Sequence, residues 1–267
     1  MKKLIAIATI MMLVSPVLAD WNPGDPAKWV QLPDLTPEGV DVNATATTAV
    51  LADDFECTST GLITDIHIWG SWLNDILPPS ADGTGPDPGF VAFRLIINSD
   101  IPAVIGPGGV EEHSTPGVLL WMGDFYPGDF AVREYATVDP GEGWYDPNTG
   151  EYIWPADKTV WQYNFLIDPA DAFLQEGTLD NPIVYWLAVE AFTYSDEFSF
   201  GWKTSKEHWN DDAVWRNLAN PWNELRYPSE HPFAGKSMDM AFVITPEPAT
   251  MVLLGLGSLG LLLRRRR

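Results

Sequence analysis

Cysteine is nearly absent: Cys57 is the single one in 267 residues. No internal disulfide can form, and one thiol cannot build a thiolate metal site. The fold must hold through core packing, with a bound cation as the other available support, and Cys57 reads as a small buried hydrophobe. Basic residues are also scarce, 15 against 37 acids, and six of them sit at the ends: Lys2, Lys3 and Arg264 to Arg267. Glu247 is the single acid in segments 1–19 and 246–267, so the body between carries 36 acids against 9 bases, a net of −27. That sign argues against nucleic acid and against an anionic membrane surface as partners. The four histidines, His67, His113, His208 and His231, have no partner at ligand spacing and read as structural or solvent-exposed. A nucleophile elbow, a zinc helix, a P-loop and a dinucleotide fingerprint are all missing. So are long segments of helical period.

What is present is aromatic and alternating. All 13 tryptophans lie in the body, together with many of the 22 glycines and 23 prolines. In Val160 to Ile167, the side chains of Trp161, Tyr163, Phe165 and Ile167 share one face, while Gln162 and Asn164 point the other way. Phe90 to Asn98 alternates likewise, with Val91, Phe93, Leu95 and Ile97 on one side. Ile183 to Tyr194, Leu62 to Leu73, Phe198 to Lys203 and Met238 to Thr245 complete the clearer strands. Weaker ones are Lys28 to Leu32, Val50 to Glu56, Val118 to Met122 and Phe130 to Thr137. Turn chemistry separates them: the Pro- and Gly-rich loop 78–89, a loop over 105–116, and a hairpin tip at Asp146-Pro147-Asn148-Thr149-Gly150. About ten strands with no helical half predict one all-β domain, an antiparallel sandwich of jelly-roll type.

The two ends carry addresses. Met1-Lys2-Lys3 is a basic start, Leu4 to Val14 is an apolar run, and Val17-Leu18-Ala19 supplies the small residues of a signal peptidase site. Cleavage after Ala19 leaves Asp20 as the first mature residue. At the other end Pro246-Glu247-Pro248 precedes an apolar stretch, 249–263, and then Arg264, Arg265, Arg266 and Arg267. As a helix that stretch spans about 22 Å at ~1.5 Å per residue, short of a ~30 Å hydrocarbon core unless the arginines snorkel or the bilayer thins. Four terminal arginines belong on the cytoplasmic side, which puts the body across the membrane, in agreement with the signal peptide.

The Pro-Glu-Pro motif, apolar helix and arginine cluster, in that order, resemble the PEP-CTERM sorting signal. The resemblance implies an exosortase-type membrane protease as partner, cleavage near Pro246-Glu247-Pro248, and a bacterium of Gram-negative type that makes extracellular polysaccharide. The body also resembles an uncharacterised domain that recurs in exported PEP-CTERM proteins. The residues carrying this are Trp29 to Asp34, Leu51 to Phe55, Ile66 to Trp72, Gly143 to Pro147, Trp161 to Asn164, Phe200 to Ser205 and His208 to Ala213. It implies location and fold rather than a chemistry.

Three sets of body residues invite a functional reading. Asp53-Asp54 and Asn210-Asp211-Asp212 are candidate calcium ligands, because calcium takes six to eight oxygens and Asp- and Asn-rich loops supply them. Neither matches the helix–loop–helix calcium signature, and both also read as turn formers and exposed charges. Trp209 and Trp215 flank polar residues and are the candidate ligand platform for a sugar ring, whereas Trp202 alternates with Phe198 and Phe200 and belongs to the core. Acids are frequent enough that a glycosidase dyad can be drawn on paper, but the reaction needs two carboxyls at fixed separation across a cleft. The expected organisation is a signal peptide over 1–19, a β-sandwich over 20–245, and a sorting tail over 246–267 with a membrane helix at 249–263. The expected function is a non-enzymatic surface or matrix protein associating with extracellular polysaccharide, passing through the inner membrane on its way to the cell surface. The alternatives are a secreted polysaccharide hydrolase and a plain scaffold.

Overall fold

The computed structural model describes residues 20–217 and 220–246. The signal peptide with Ala19, residues Glu247 and Pro248, the expected membrane helix and the four terminal arginines lie outside the described residues. Among the described residues helix is confined to one 3₁₀ turn at Leu73–Asp75, and no helix is long and apolar enough to cross a membrane. The rest is strand and connection. In chain order the strands are β1 (Trp29–Gln31), β2 (Val40–Asn43), β3 (Val50–Ile63), β4 (Asp65–Trp72), β5 (Ala92–Ile101), β6 (Val104–Gly106), β7 (Gly109–Glu112) and β8 (Thr115–Phe125). There follow β9 (Ala131–Asp146), β10 (Glu151–Leu166), β11 (Phe173–Phe192), β12 (Phe200–Ser205), β13 (Val214–Arg216), β14 (Asn223–Glu224), β15 (Asp239–Met240) and β16 (Phe242–Thr245).

Two large sheets share a core. One has the order β14-β13-β3-β11-β5-β8, the other β1-β16-β4-β10-β9-β2-β12-β15, and β6-β7 form a separate hairpin. In the larger sheet β12 bonds to two neighbours. Trp202 stands opposite Val42 of β2 and also opposite Gly70 of β4, so β4, β10, β9, β2 and β12 close on themselves. The all-β expectation holds, and this sheet is rolled and barrel-like where a jelly-roll sandwich was expected. The wholly antiparallel expectation is corrected as well, because β2 runs parallel to β9, Val40 to Val42 beside Gly143 to Tyr145.

The outer face of the ring packs on the smaller sheet. Leu51 and Phe55 of β3, Phe93, Leu95 and Ile97 of β5, and Leu187 and Val189 of β11 meet Ile66, Ile68, Trp72, Tyr163, Phe165, Val42 and Trp202. Phe93 sits at the centre, edge-on to Phe130, Tyr163, Phe165 and Phe200 at 5.1–5.4 Å. Each such ring pair adds roughly 0.5–1.5 kcal/mol beyond area burial. The polar tips are satisfied: Trp72 Nε1 donates to Tyr163 Oη (3.0 Å), Tyr163 donates to the Pro88 carbonyl (3.0 Å), and Trp202 Nε1 to that of Ala241 (2.8 Å).

The inner face is buried too, and it is polar in part. Trp21 from the N-terminal segment packs on Trp69 with Val138, Val160, Ala241 and Val243. Gln162 and Asn164 point to this side, as alternation predicts, and both are buried. Gln162 donates to the Trp21 carbonyl (2.9 Å) and accepts from Arg133 Nε (2.6 Å). Asn164 Oδ1 lies 2.6 Å from His67 Nδ1, so His67 is a structural histidine inside the fold.

Candidate functional site

The five candidate calcium ligands come to one region but divide into three groups. Asp53 and Asp54 are consecutive in β3, so they project to opposite faces. Asp53 enters the shared core, where it accepts from the Met240 N–H (2.7 Å) and from Gln31 Nε2 (3.3 Å), which also donates to Asp239 (3.3 Å). Burial, then the neighbouring carboxyls of Asp239 and Asp54, push its pKa well above the carboxylate range. Asp54 accepts from Asn210 Nδ2 (2.5 Å), which also donates to Asp211 (3.0 Å). Burial pushes Asp54 up to about 8 despite that bond. Asp212 is held apart by Arg226 Nη2 (2.7 Å) and by the Ser237 hydroxyl. Asp239 was not visible as a partner in sequence, nearly thirty residues from Asn210, yet it takes the Trp209 N–H (2.8 Å) and His208 Nδ1 (3.2 Å). Burial raises it to about 6.

The closest gathering of carboxylates lies elsewhere, inside the ring. Asp41 (β2), Glu142 (β9) and Asp157 (β10) each offer an oxygen, all within 4.8 Å of one another, and all three are buried. Lys203 (β12) enters the same space with its side chain fully enclosed. Its Nζ is 3.3 Å from Asp41 Oδ2 and donates to Glu142 Oε2; the Ser71 hydroxyl holds Glu142 Oε1 at 3.2 Å. Asp41 Oδ1 and both oxygens of Asp157 have no hydrogen-bond partner. Burial first, then the facing acids, raises Glu142 to about 8 and Asp157 to about 10. Burial opposes the Lys203 ammonium, but Asp41 and Glu142 hold its pKa above the ordinary lysine value. None of these four stood out in sequence, because acids are common here and nothing local marks an inward one. The register is the missing signal: Lys203 stands directly opposite Asp41.

The aromatic candidates are half-buried. Trp209 stands edge-on to Trp29, centroids 4.9 Å apart, and Trp215 packs against the shared core. A more open tryptophan is Trp154, 51% exposed and just past the 146–150 hairpin tip. Its Nε1 donates to the Pro37 carbonyl (3.0 Å), which fixes the ring. With Tyr152, Pro37, Pro232, Glu38 and Glu230 it lines a groove of about 250 Å³. A second groove of about 280 Å³ runs between Tyr126, Phe192 and Tyr194 over Arg94 and Asp124. There Tyr194 stacks on Phe90 at 4.5 Å and Arg94 lies over Phe192 at 5.4 Å, while Tyr126 is exposed.

Comparison with known families gives two findings. A model described as a domain of unknown function, DUF7901, matches residues 27–245. The PEP-CTERM protein-sorting motif matches residues 245–267. No curated protein and no solved structure matches the chain. The motif indicates an exported protein, processed by an exosortase and sorted to the cell envelope or surface.

Proposed function

The chain belongs to the DUF7901 domain family and ends in a PEP-CTERM motif, and from that premise we propose that its body is a non-enzymatic surface domain that grips extracellular polysaccharide. The observation that carries this is the Trp154 groove. An indole held by its own N–H and with an open face is a stacking platform for a sugar ring, and the carboxylates of Glu38 and Glu230 beside it accept hydrogen bonds from hydroxyls. The groove replaces Trp209 and Trp215 as the platform, since those rings are engaged by Trp29 and by the core.

The hydrolase reading has weaker support. A glycosidase needs a proton-holding carboxyl and a second one facing it across a cleft that admits substrate. The carboxyls raised to about 6 or above, Asp54, Glu142, Asp157 and Asp239, are enclosed by the fold. A wider depression of about 600 Å³ is lined by Asp124, Asp129, Asp168 and Asp171. Three of these are already engaged: Asp124 by Arg94, Asp129 by the Tyr126 N–H, and Asp168 by the Ala170 N–H.

The test is affinity electrophoresis of the full chain and its variants in gels carrying the polysaccharide of the producing cells. Trp154→Ala should weaken retardation about tenfold, equivalent to ~1.4 kcal/mol. Trp209→Ala should leave it within about twofold. Equal retardation of wild type and Trp154→Ala sinks the groove, and release of reducing ends by the wild type sinks the non-enzymatic reading.

A further inference from the structure

Lys203, Asp41 and Glu142 form an enclosed cluster inside the ring. Lys203 and Asp41 face each other on adjacent strands, with Nζ 3.3 Å from Asp41 Oδ2 and neither side chain exposed. Glu142 lies beside both: it accepts from Lys203 Nζ, and an oxygen of its carboxyl lies within 4.8 Å of one of Asp41. Ser71 fixes the far oxygen of Glu142. The backbone makes room for the amine, since a Cβ on Gly39 would meet Nζ at 2.7 Å. Gly201 does the same beside Asp41, where an added Cβ would come within 2.8 Å of the aspartate's own. We propose that the folded chain joins Lys203 Nζ to Asp41 Cγ in an intramolecular isopeptide bond, with Glu142 carrying the proton.

The chemistry balances without a co-reactant. Within a dry site an ammonium–carboxylate pair and its neutral counterpart differ by one proton moved along a hydrogen bond. Glu142 accepts that proton and leaves Nζ with a free lone pair. Nζ attacks Cγ and the N–C bond forms. Glu142 passes its proton to one carboxyl oxygen, takes a second proton from the nitrogen, which became positive on attack, and passes that to the same oxygen. The bond from Cγ to this oxygen breaks, it departs as water, and Glu142 ends as it began. The ammonium and the carboxylate together lose two hydrogens and one oxygen, their charges cancel, and nothing is oxidised or reduced. Nζ held 3.3 Å from Asp41 Oδ2, one bond from Cγ, has already met much of the entropic cost of encounter. Glu142 is raised to about 8, so it holds and releases a proton near neutral pH.

The reaction also removes a liability. A buried ion pair is costly to desolvate, and an amide carries no charge. In a chain with one cysteine the bond does what a disulfide does, closing the 162-residue separation between Asp41 and Lys203. The inference does not depend on the Trp154 groove.

Peptide mass spectrometry of the purified wild-type full chain, denatured and digested, is the test and needs no variant. The expected result is a branched species joining the Asp41 and Lys203 peptides, lighter than their sum by one water, with no trypsin cut after Lys203. Lys203→Arg and Asp41→Ala should give only linear peptides. Glu142→Gln, nearly isosteric, should retain the near-ultraviolet circular dichroism of the fold and yet stay unlinked. Unlinked Asp41 and Lys203 peptides in quantitative yield from the wild type would overturn the proposal. A branch on Glu142 instead of Asp41 would overturn the assignment. A native mass increased by a divalent ion, without loss of water, would make Asp41, Glu142 and Asp157 a metal site and overturn it too.

Discussion

Asp53 and Asp54 bring two adjacent carboxyls into the interior, one on each face of strand β3, because both sides of that strand are covered. The consequence is a pH dependence of stability. The unfolded Asp54 loses its proton near pH 4, whereas the folded one holds it up to about pH 8. The folded state therefore binds more protons between those values, and this contribution is fully present below pH 4 and lost as pH rises through 8. Melting temperature should fall between pH 5 and pH 8.5. Asp54→Asn should remove part of that fall and stabilise the chain at pH 8.5 by a few kcal/mol, on the order expected for a shift of several units. A thermal scan at the two pH values checks it, and a variant less stable than wild type at pH 8.5 counts against the assignment. In sequence Asp53-Asp54 reads as turn residues or cation ligands, because strand alternation normally places a polar residue outward. Trp154 gives the opposite lesson. It was one of 13 tryptophans with no local mark of exposure, and only its place beyond the hairpin tip, tied to Pro37, singles it out.

At the scale of elements, strands that cover one apolar face were legible. The expected strands Phe90 to Asn98 and Val160 to Ile167 fall in β5 and β10 except for Phe90, Val91 and Ile167, and the tip at 146–150 joins β9 to β10. Strands covered on both faces were blurred. All eight residues of β4 are buried, so alternation disappears, and the expected strand Leu62 to Leu73 conceals the step at Thr64 where the chain leaves one sheet for the other. The loop expected over 105–116 contains the β6–β7 hairpin. Closure of the ring was illegible, because it depends on a close approach rather than on a pattern. A Cβ on Gly70 would lie 2.2 Å from the Gly201 carbonyl oxygen and 2.4 Å from the Phe200 ring. Since the nearest obstacle is backbone, it cannot move aside as a side chain would. Gly70→Ala should therefore destabilise the chain by about 1–3 kcal/mol, the usual cost of overpacking. Urea denaturation measures this, and a loss below ~0.5 kcal/mol would mean that β4 and β12 do not approach as described.

Over the whole molecule, address was easier to read than architecture. The sorting motif is a contiguous pattern and needs no fold to be recognised, whereas the ring and its enclosed charges are set by pairings far apart in sequence. The body's net charge of −27 favours solubility outside the cell and sets it against anionic partners. Its last strand, β16, ends at Thr245, still paired with Asp65, and the Pro246-Glu247-Pro248 motif follows at once. The most direct measurement follows an epitope inserted at Gly83, an exposed turn position with no atom within 4 Å of an added Cβ. Cells producing this full chain are fractionated beside cells producing the variant with alanine at 246, 247 and 248. The wild type should reach the envelope or surface in a shortened form, and the variant should stay full-length at the inner membrane. A wild-type chain confined to the cytoplasm, or a variant processed and delivered like the wild type, would contradict the account.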